Sequence, residues 1–324
     1  MMKNEGIIQM GNVLKGFRIN KHNGVFLILG LLLIIAGIYR PQFVEISNLL
    51  TMLRQAASLG ILTIGQLFAI VGGGLDLSVA ATLQMSISIF MYGYNNFGIE
   101  GLIIGIFAAL LFGVVVGTAN GIIITKYKIQ PFLATLFTGS IITGTRMILV
   151  GIESAGNIPD VIRVFGRGRT LNIPNGLIIF FIIACIAAFI MNKSVFGRKL
   201  IAVGTNFIAA EFSGIKAENT VIMSYIICSV LSVIASILLA GYIGFADRWI
   251  GAGLHFNSLV AAVIGGNYFG GGRGSVFGAV GGALVMTIVM NFVTLLGFSA
   301  PFQHVVSGIV LILTLFIGAY SKKS

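Results

Sequence analysis

Long apolar runs separated by short polar stretches constrain this chain more than any single motif. Only 9% of its 324 residues are charged and 57% are hydrophobic, whereas soluble domains carry about 25% charged residues. Such a chain cannot cover a water-facing surface, so its solvent is largely lipid. A helix needs about 20 apolar residues to cross a bilayer, with a range of about 17–25. On that rule the candidate spans are residues 25–39, 52–71, 78–94, 102–126, 131–150, 176–191, 221–244, 257–268, 275–296 and 302–320. The expected fold is an all-α polytopic membrane protein with about ten transmembrane helices. The first and eighth spans are short for a crossing. Gly265-Gly266 and Gly270-Gly271-Gly272 interrupt the eighth. It reads as a broken or re-entrant segment, tolerated where protein or a water-filled cavity shields its backbone. The 44 glycines suit a tightly packed bundle, since small residues let membrane helices approach closely.

Charge sets the orientation. The net charge of +11 would suggest nucleic acid in a soluble protein, but the basic residues cluster at segment ends and no solvated basic domain exists. Counting from an inside N-terminus places Lys3, Lys15, Arg18 and Lys21 inside. It also places Lys126, Lys128, Lys193, Arg198, Lys199, Lys216, Lys322 and Lys323 inside, as the positive-inside rule requires. Both termini are therefore expected in the cytoplasm. Arg163, Arg167 and Arg169 fall outside and break the rule. The N-terminus lacks a small-x-small cleavage site before Arg40 and is not read as a cleaved signal peptide. The organisation expected is a cytoplasmic tail (1–23), one transmembrane domain (24–320) with a cytoplasmic loop at 192–220, and a cytoplasmic C-terminus (321–324).

Candidate chemistry is sparse. Cys185 and Cys228 both lie in apolar runs and read as inert buried thiols, not a disulfide or a metal site. No H-E-x-x-H and no G-x-x-x-x-G-K-[ST] occurs, so neither a zinc protease nor a resident ATP site is expected. His22, His255 and His304 stand apart, and no nucleophile–base pair can be assembled. No catalytic residue, cofactor or metal is expected. Asp76 is the one acidic residue deep in apolar sequence, where an ionisable group costs about 2.5–3.5 kcal/mol on insertion scales. It serves either as a proton or cation relay or, with Ser78, as a cap for a helix starting near Val79. The cap is preferred because no second buried carboxylate or basic partner appears in a span. Gly72-Gly73-Gly74-Leu75-Asp76-Leu77-Ser78 and Gly270-Gly271-Gly272-Arg273-Gly274-Ser275 open spans in the two halves. Transporters often place interrupted segments at such corresponding positions.

The stretch from Gly197 to Ile215 is polar enough to sit in water. Thr205 or Asn206 can cap a short helix there and Gly214 can end it, with Ile208 and Phe212 on one face. A helix this short needs a tertiary partner, since isolated helices below about 12–15 residues are marginal. That partner is either its own bundle or another chain.

Five motifs in order carry a family resemblance. They are Gly73-Gly74-Leu75-Asp76-Leu77-Ser78-Val79; Asn120-Gly121; Pro131-Phe132-Leu133-Ala134-Thr135-Leu136; Gly197-Arg198 through Gly214-Ile215; and Ile264-Gly265-Gly266 with Gly271-Gly272-Arg273-Gly274-Ser275. Together they resemble the permease subunits of ATP-binding-cassette importers of the ribose, galactose, xylose and autoinducer type. The chain departs from the pattern at Thr205, Glu211 and Ser307. The resemblance implies a multi-pass permease of a bacterial or archaeal cytoplasmic membrane. Its implied partners are ATPase subunits inside, an extracytoplasmic substrate-binding protein and a second permease copy or paralogue, with lipid around them. It implies ATPase coupling through Gly197, Arg198, Gly204, Asn206, Ala209, Ala210, Glu211 and Gly214. Translocation and structural-turn candidates are Gln66, Asp76, Ser78, Gln84, Thr135, Thr138, Asn267 and Arg273, whose sparse hydroxyls and amides suit a route that must release its cargo. The alternative is a self-sufficient secondary transporter or channel, for which only Asp76 offers a coupling site.

Overall fold

The computed structural model describes residues 24–150, 156–247 and 249–298, and 302–312 apart from 304 and 311. The N-terminal tail, His304, most of the last expected span and the C-terminus lie outside the described residues. The described chain is almost wholly helical: α1 (Gly24–Tyr39), α2 (Ile46–Val71), α3 (Val79–Thr125), α4 (Pro131–Val150), α5 (Asp160–Gly166), α6 (Asn175–Lys193), α7 (Val195–Thr205), α8 (Phe207–Phe212), α9 (Ala217–Ile243), α10 (Leu254–Ile264) and α11 (Val276–Leu295). Two-residue strands form two small antiparallel pairs: β1 (Gly156–Asn157) with β4 (Phe245–Ala246), and β2 (Arg169–Thr170) with β3 (Ile173–Pro174). Among the described residues, six helices are long and apolar enough to cross a membrane.

The longest of these is not one crossing. The 47 residues of α3 would extend about 70 Å at 1.5 Å per residue, over twice the hydrocarbon thickness. Gly98 breaks it, with φ 63° and ψ −141°, a backbone state that glycine reaches without a Cβ clash. The two arms fold back on each other. Gly93 meets Gly101, and a methyl on Gly105 would lie 2.6 Å from Phe90 Cα, so α3 is an antiparallel hairpin of helices. The expected spans 78–94 and 102–126 are its two arms.

α2 occupies the centre. Residues 56–71 are buried without interruption, as expected for a helix apolar on all sides. α9 packs against both α2 and α3. Gly113, Gly117 and Gly121 line one face of α3, where a methyl would lie 2.8 Å from Val233 Cγ2, 2.5 Å from Ile226 Cα and 2.6 Å from Ile222 Cα. Backbone-to-backbone approach of this kind replaces the hydrophobic drive that lipid cannot supply.

Three expectations are corrected. The eighth span is a helix of 11 residues, Leu254–Ile264, about 16 Å long, and it stops at Gly265 instead of continuing to 268. Cys185 is exposed, although Cys228 is buried. A buried basic residue does occur in a span: Arg146 on α4 is 6% exposed and interacts electrostatically with Asp247.

Candidate functional site

The two glycine clusters are two helix breaks built alike. α2 ends where Gly73 takes φ 92°. The Gly73 N–H donates to Ile70 O (2.9 Å) and the Gly74 N–H to Ala69 O (2.9 Å), a closure that satisfies the last carbonyls of the helix. α10 ends in the same way at Gly266 (φ 79°), with Gly266 N–H on Val263 O (2.9 Å) and Asn267 N–H on Ala262 O (3.3 Å).

Beyond each closure the chain is unwound, and in an apolar bundle its backbone groups need partners. At the first break, side chains from three helices supply them, and a fourth helix supports the break through Ser78. The Gln66 amide on α2 clamps the Asp76 backbone, Nε2 donating to Asp76 O (2.5 Å) and Oε1 accepting from Asp76 N (3.2 Å). Thr135 Oγ1 on α4 accepts from Leu77 N (3.0 Å). The Tyr225 hydroxyl on α9 donates to Leu75 O (3.2 Å). Asp76 Oδ1 accepts from both Ser78 N (2.8 Å) and Ser78 Oγ (2.5 Å), and Asn120 Nδ2 on α3 donates to Ser78 Oγ (2.9 Å). All of these side chains are buried. Asp76 thus serves the residue that precedes the first turn of α3, while the Ser78 hydroxyl turns back to Asp76 and makes no bond to the helix N–H groups. The second break is clamped by one buried amide: Asn267 Nδ2 donates to Ala262 O (2.7 Å) and Oδ1 accepts from Ser275 N (2.7 Å). Ser275 then caps α11.

Of the pathway candidates, Gln66, Asp76, Ser78 and Thr135 converge at the first break and Asn267 holds the second. Gln84 is buried but makes none of these bonds. Thr138 bonds back to Ala134 O, and Arg273 is exposed. Sequence reasoning missed Asn120 and Tyr225 as members of the first break. Asn120 carried a signal, as the polar residue inside an apolar run. Tyr225 carried none, because its hydroxyl is needed only by a carbonyl 150 residues away.

The polar stretch folds as two helices. α7 starts at the Ser194 cap, whose hydroxyl accepts from Gly197 N (3.0 Å). The chain then turns at extended Asn206 (φ −157°, ψ 105°), whose Oδ1 accepts from Ala209 N (2.9 Å) and caps α8. Gly214 (φ 78°) ends α8. Gly197 is buried at the α6–α7 corner, and Arg198, Asn206, Ala209, Glu211 and Gly214 are exposed. Ile208 is 65% and Phe212 89% exposed. Within α8, Ala210 is the expected coupling residue that is not exposed. It is 5% exposed and packs with Ala69, Val203, Val221 and Tyr225, so it faces the chain's own bundle.

On the far side of α9, arginines meet the carbonyls that end the helix. Arg167 donates to Tyr242 O (Nε, 2.6 Å) and Ile243 O (NH2, 2.5 Å), and Arg163 NH2 donates to Gly244 O (3.2 Å). Cations are favoured at a helix C-terminus.

An apolar bundle with two clamped helix breaks and a polar segment folded against it has the build of a membrane permease. Residues 48–315 match the family described as branched-chain amino acid transport system / permease component, and the chain belongs to that family. It is 35% identical to a ribose import permease of Bacillus subtilis (strain 168), over 91% of each chain. It is 29% identical to a ribose import permease of Escherichia coli (strain K12), over 88% of this chain and 90% of the relative. It is 28% identical to a galactose/methyl galactoside import permease of Haemophilus influenzae, over 95% of this chain and 98% of the relative. No solved structure matches the chain significantly. The protein is a multi-pass protein of the inner membrane, a permease component of an ATP-binding-cassette importer.

Proposed function

We propose that this permease moves a monosaccharide or similar small polar solute, received from an extracytoplasmic binding protein and driven by separate ATPase subunits, and that the chain itself catalyses no reaction. The observation that carries the reading is the likeness, over nearly the whole length, to permeases named for ribose and galactose import. In this reading both termini are cytoplasmic and the chain crosses about ten times, the α3 hairpin giving two crossings and α10 a short one. The α7–α8 segment then faces the cytoplasm, and the exposed Ile208, Ala209 and Phe212 are the surface on which an ATPase docks. The partner permease is a second copy or a paralogue. The outward placement of Arg163 and Arg167 follows as well, because both cations are engaged by the α9 carbonyls.

The test is uptake in the host with this gene deleted and restored. Labelled ribose, galactose and xylose are compared with labelled leucine. Loss of uptake of one sugar, with leucine uptake intact, is expected. Loss confined to leucine refutes the sugar reading. Uptake that survives removal of every ATPase subunit refutes the ATP-driven one.

A further inference from the structure

The two helix breaks and the end of α7 meet at one backbone atom. The Val71 carbonyl, last in α2, accepts a hydrogen bond from Gly272 N (2.9 Å) in the second break. Gly204, in the last turn of α7, bears on the same carbonyl. A methyl on Gly204 would overlap Val71 O and lie 2.6 Å from Gly272 N. The contact continues around this point. A methyl on Gly271 would lie 2.9 Å from Gly73 Cα, and one on Gly272 would lie 2.9 Å from Thr205 Cα. Three segments far apart in sequence therefore touch backbone to backbone, with no side chain between them to absorb a displacement. Close-packed interiors transmit a shift instead of absorbing it.

We propose that Gly204 is a positioning residue for transport. Its bare Cα lets α7 press on the Val71 carbonyl, so that a shift of the α7–α8 segment moves both helix breaks at once. Gly204 is thereby an internal contact and not a surface for the ATPase. The inference rests on the importer reading above. Each break is held by buried polar side chains bonded to backbone, Gln66 and Thr135 at the first and Asn267 at the second. Resetting them together gives the segment a direct hold on both.

The test compares Gly204→Ala with Ala209→Arg, each in the full transporter with its ATPase and binding protein. Gly204→Ala is expected to insert and to retain the ATPase on pull-down. Its uptake is expected to fall at least about tenfold (about 1.4 kcal/mol), and its ATP hydrolysis no longer to rise with loaded binding protein. Wild-type uptake and stimulation in Gly204→Ala overturn the proposal, as does loss of the ATPase from the pull-down. If Gly204→Ala does not insert, hydrogen exchange on the unaltered transporter decides. Protection of the Gly272 amide is expected to change between the nucleotide-free and ATP-analogue-bound complexes, and unchanged protection overturns the proposal. Failure of the importer reading shows differently, as wild-type uptake indifferent to removal of the ATPase.

Discussion

Replacing Asp76 tests whether it holds the first break together or carries charge. Its Oδ1 is the acceptor for two buried donors, Ser78 N and Ser78 Oγ, and the Ser78 hydroxyl is in turn the acceptor for Asn120. Asp76→Leu removes that oxygen. A buried donor left without a partner costs about 1–3 kcal/mol, so the two together cost roughly 2–6 kcal/mol. The lower end applies if the hydroxyl rotates to another acceptor. Typical total stabilities are about 5–15 kcal/mol, so such a loss lowers both membrane level and melting temperature. Asp76→Asn keeps an acceptor oxygen in place but gives up charge assistance and puts an amide where the buried Oδ2 now sits, a loss of about 1–3 kcal/mol. The assay is thermal unfolding of detergent-purified protein followed by a thiol-reactive dye. Cys228 is fully buried and reports opening, and Cys185, which is exposed, is first replaced by Ala. The expected order of midpoints is wild type, then Asp76→Asn, then Asp76→Leu well below, with Asp76→Asn keeping much of the uptake. A midpoint for Asp76→Leu equal to wild type refutes the hydrogen-bond reasoning. Abolished pH-dependent uptake in well-expressed Asp76→Asn refutes the structural role and favours a relay.

Neighbouring residues of α8 should respond oppositely to the same charge. Ala209→Arg, on the exposed side, is expected to insert normally but to lose both uptake and ATPase pull-down; Ala210→Arg forces a cation beneath Ala69 and Val203 and is expected to reduce the amount of inserted protein. Normal uptake by Ala209→Arg, or normal membrane levels of Ala210→Arg, contradicts this assignment of faces. Arg167→Ala strips two donors from the end of α9 and a cation from its C-terminus, at a cost of up to about 2 kcal/mol; faster proteolysis of the 156–175 region in right-side-out vesicles is expected, and an unchanged rate argues against the cap. The isolated permease is expected to bind sugar only in the millimolar range, about −4 kcal/mol, because the polar side chains at both breaks are already occupied by backbone; a micromolar constant by calorimetry on the purified chain would show a preformed pocket.

The features that the sequence made legible are those set by local pattern. The fourth helix appears at its expected bounds, 131–150, with Pro131 at its first position. Residue type offers Thr205 or Asn206 as the cap and Gly214 as the end of α8, and the fold takes Asn206. α2 begins earlier than expected, at Ile46, because Ser47, Asn48 and Thr51 interrupt the apolar run without opposing helix. Hydropathy therefore marks the apolar part of a helix and not its first turn. The short helix expected between Thr205 or Asn206 and Gly214 is α8, whereas α7 before it is an addition; the turn at Asn206 between them decides which of Ala209 and Ala210 is available to a partner. Two adjacent alanines carry no signal that separates them.

The rest was illegible because it is held by atoms that every residue possesses. Val71 is one of many valines, and nothing in its side chain marks its carbonyl as the acceptor for Gly272. Gly204, read from sequence as a place for another chain to approach, is close to its own chain on two sides. Glycine in an apolar sequence has two meanings, a turn with positive φ or a place where backbones touch. A single sequence does not separate them: Gly73 and Gly266 are turns, whereas Gly117 and Gly204 are contacts. The arginines at 163 and 167 obey the same logic. In the proposed orientation they break the charge rule, which counts charges, while the fold engages them with the carbonyls that end α9. In a bundle whose helices are sheathed in lipid, specific recognition falls to the backbone and to the few polar side chains that reach it. The positions to change first in this permease are accordingly glycines and amides, ahead of its abundant apolar surface.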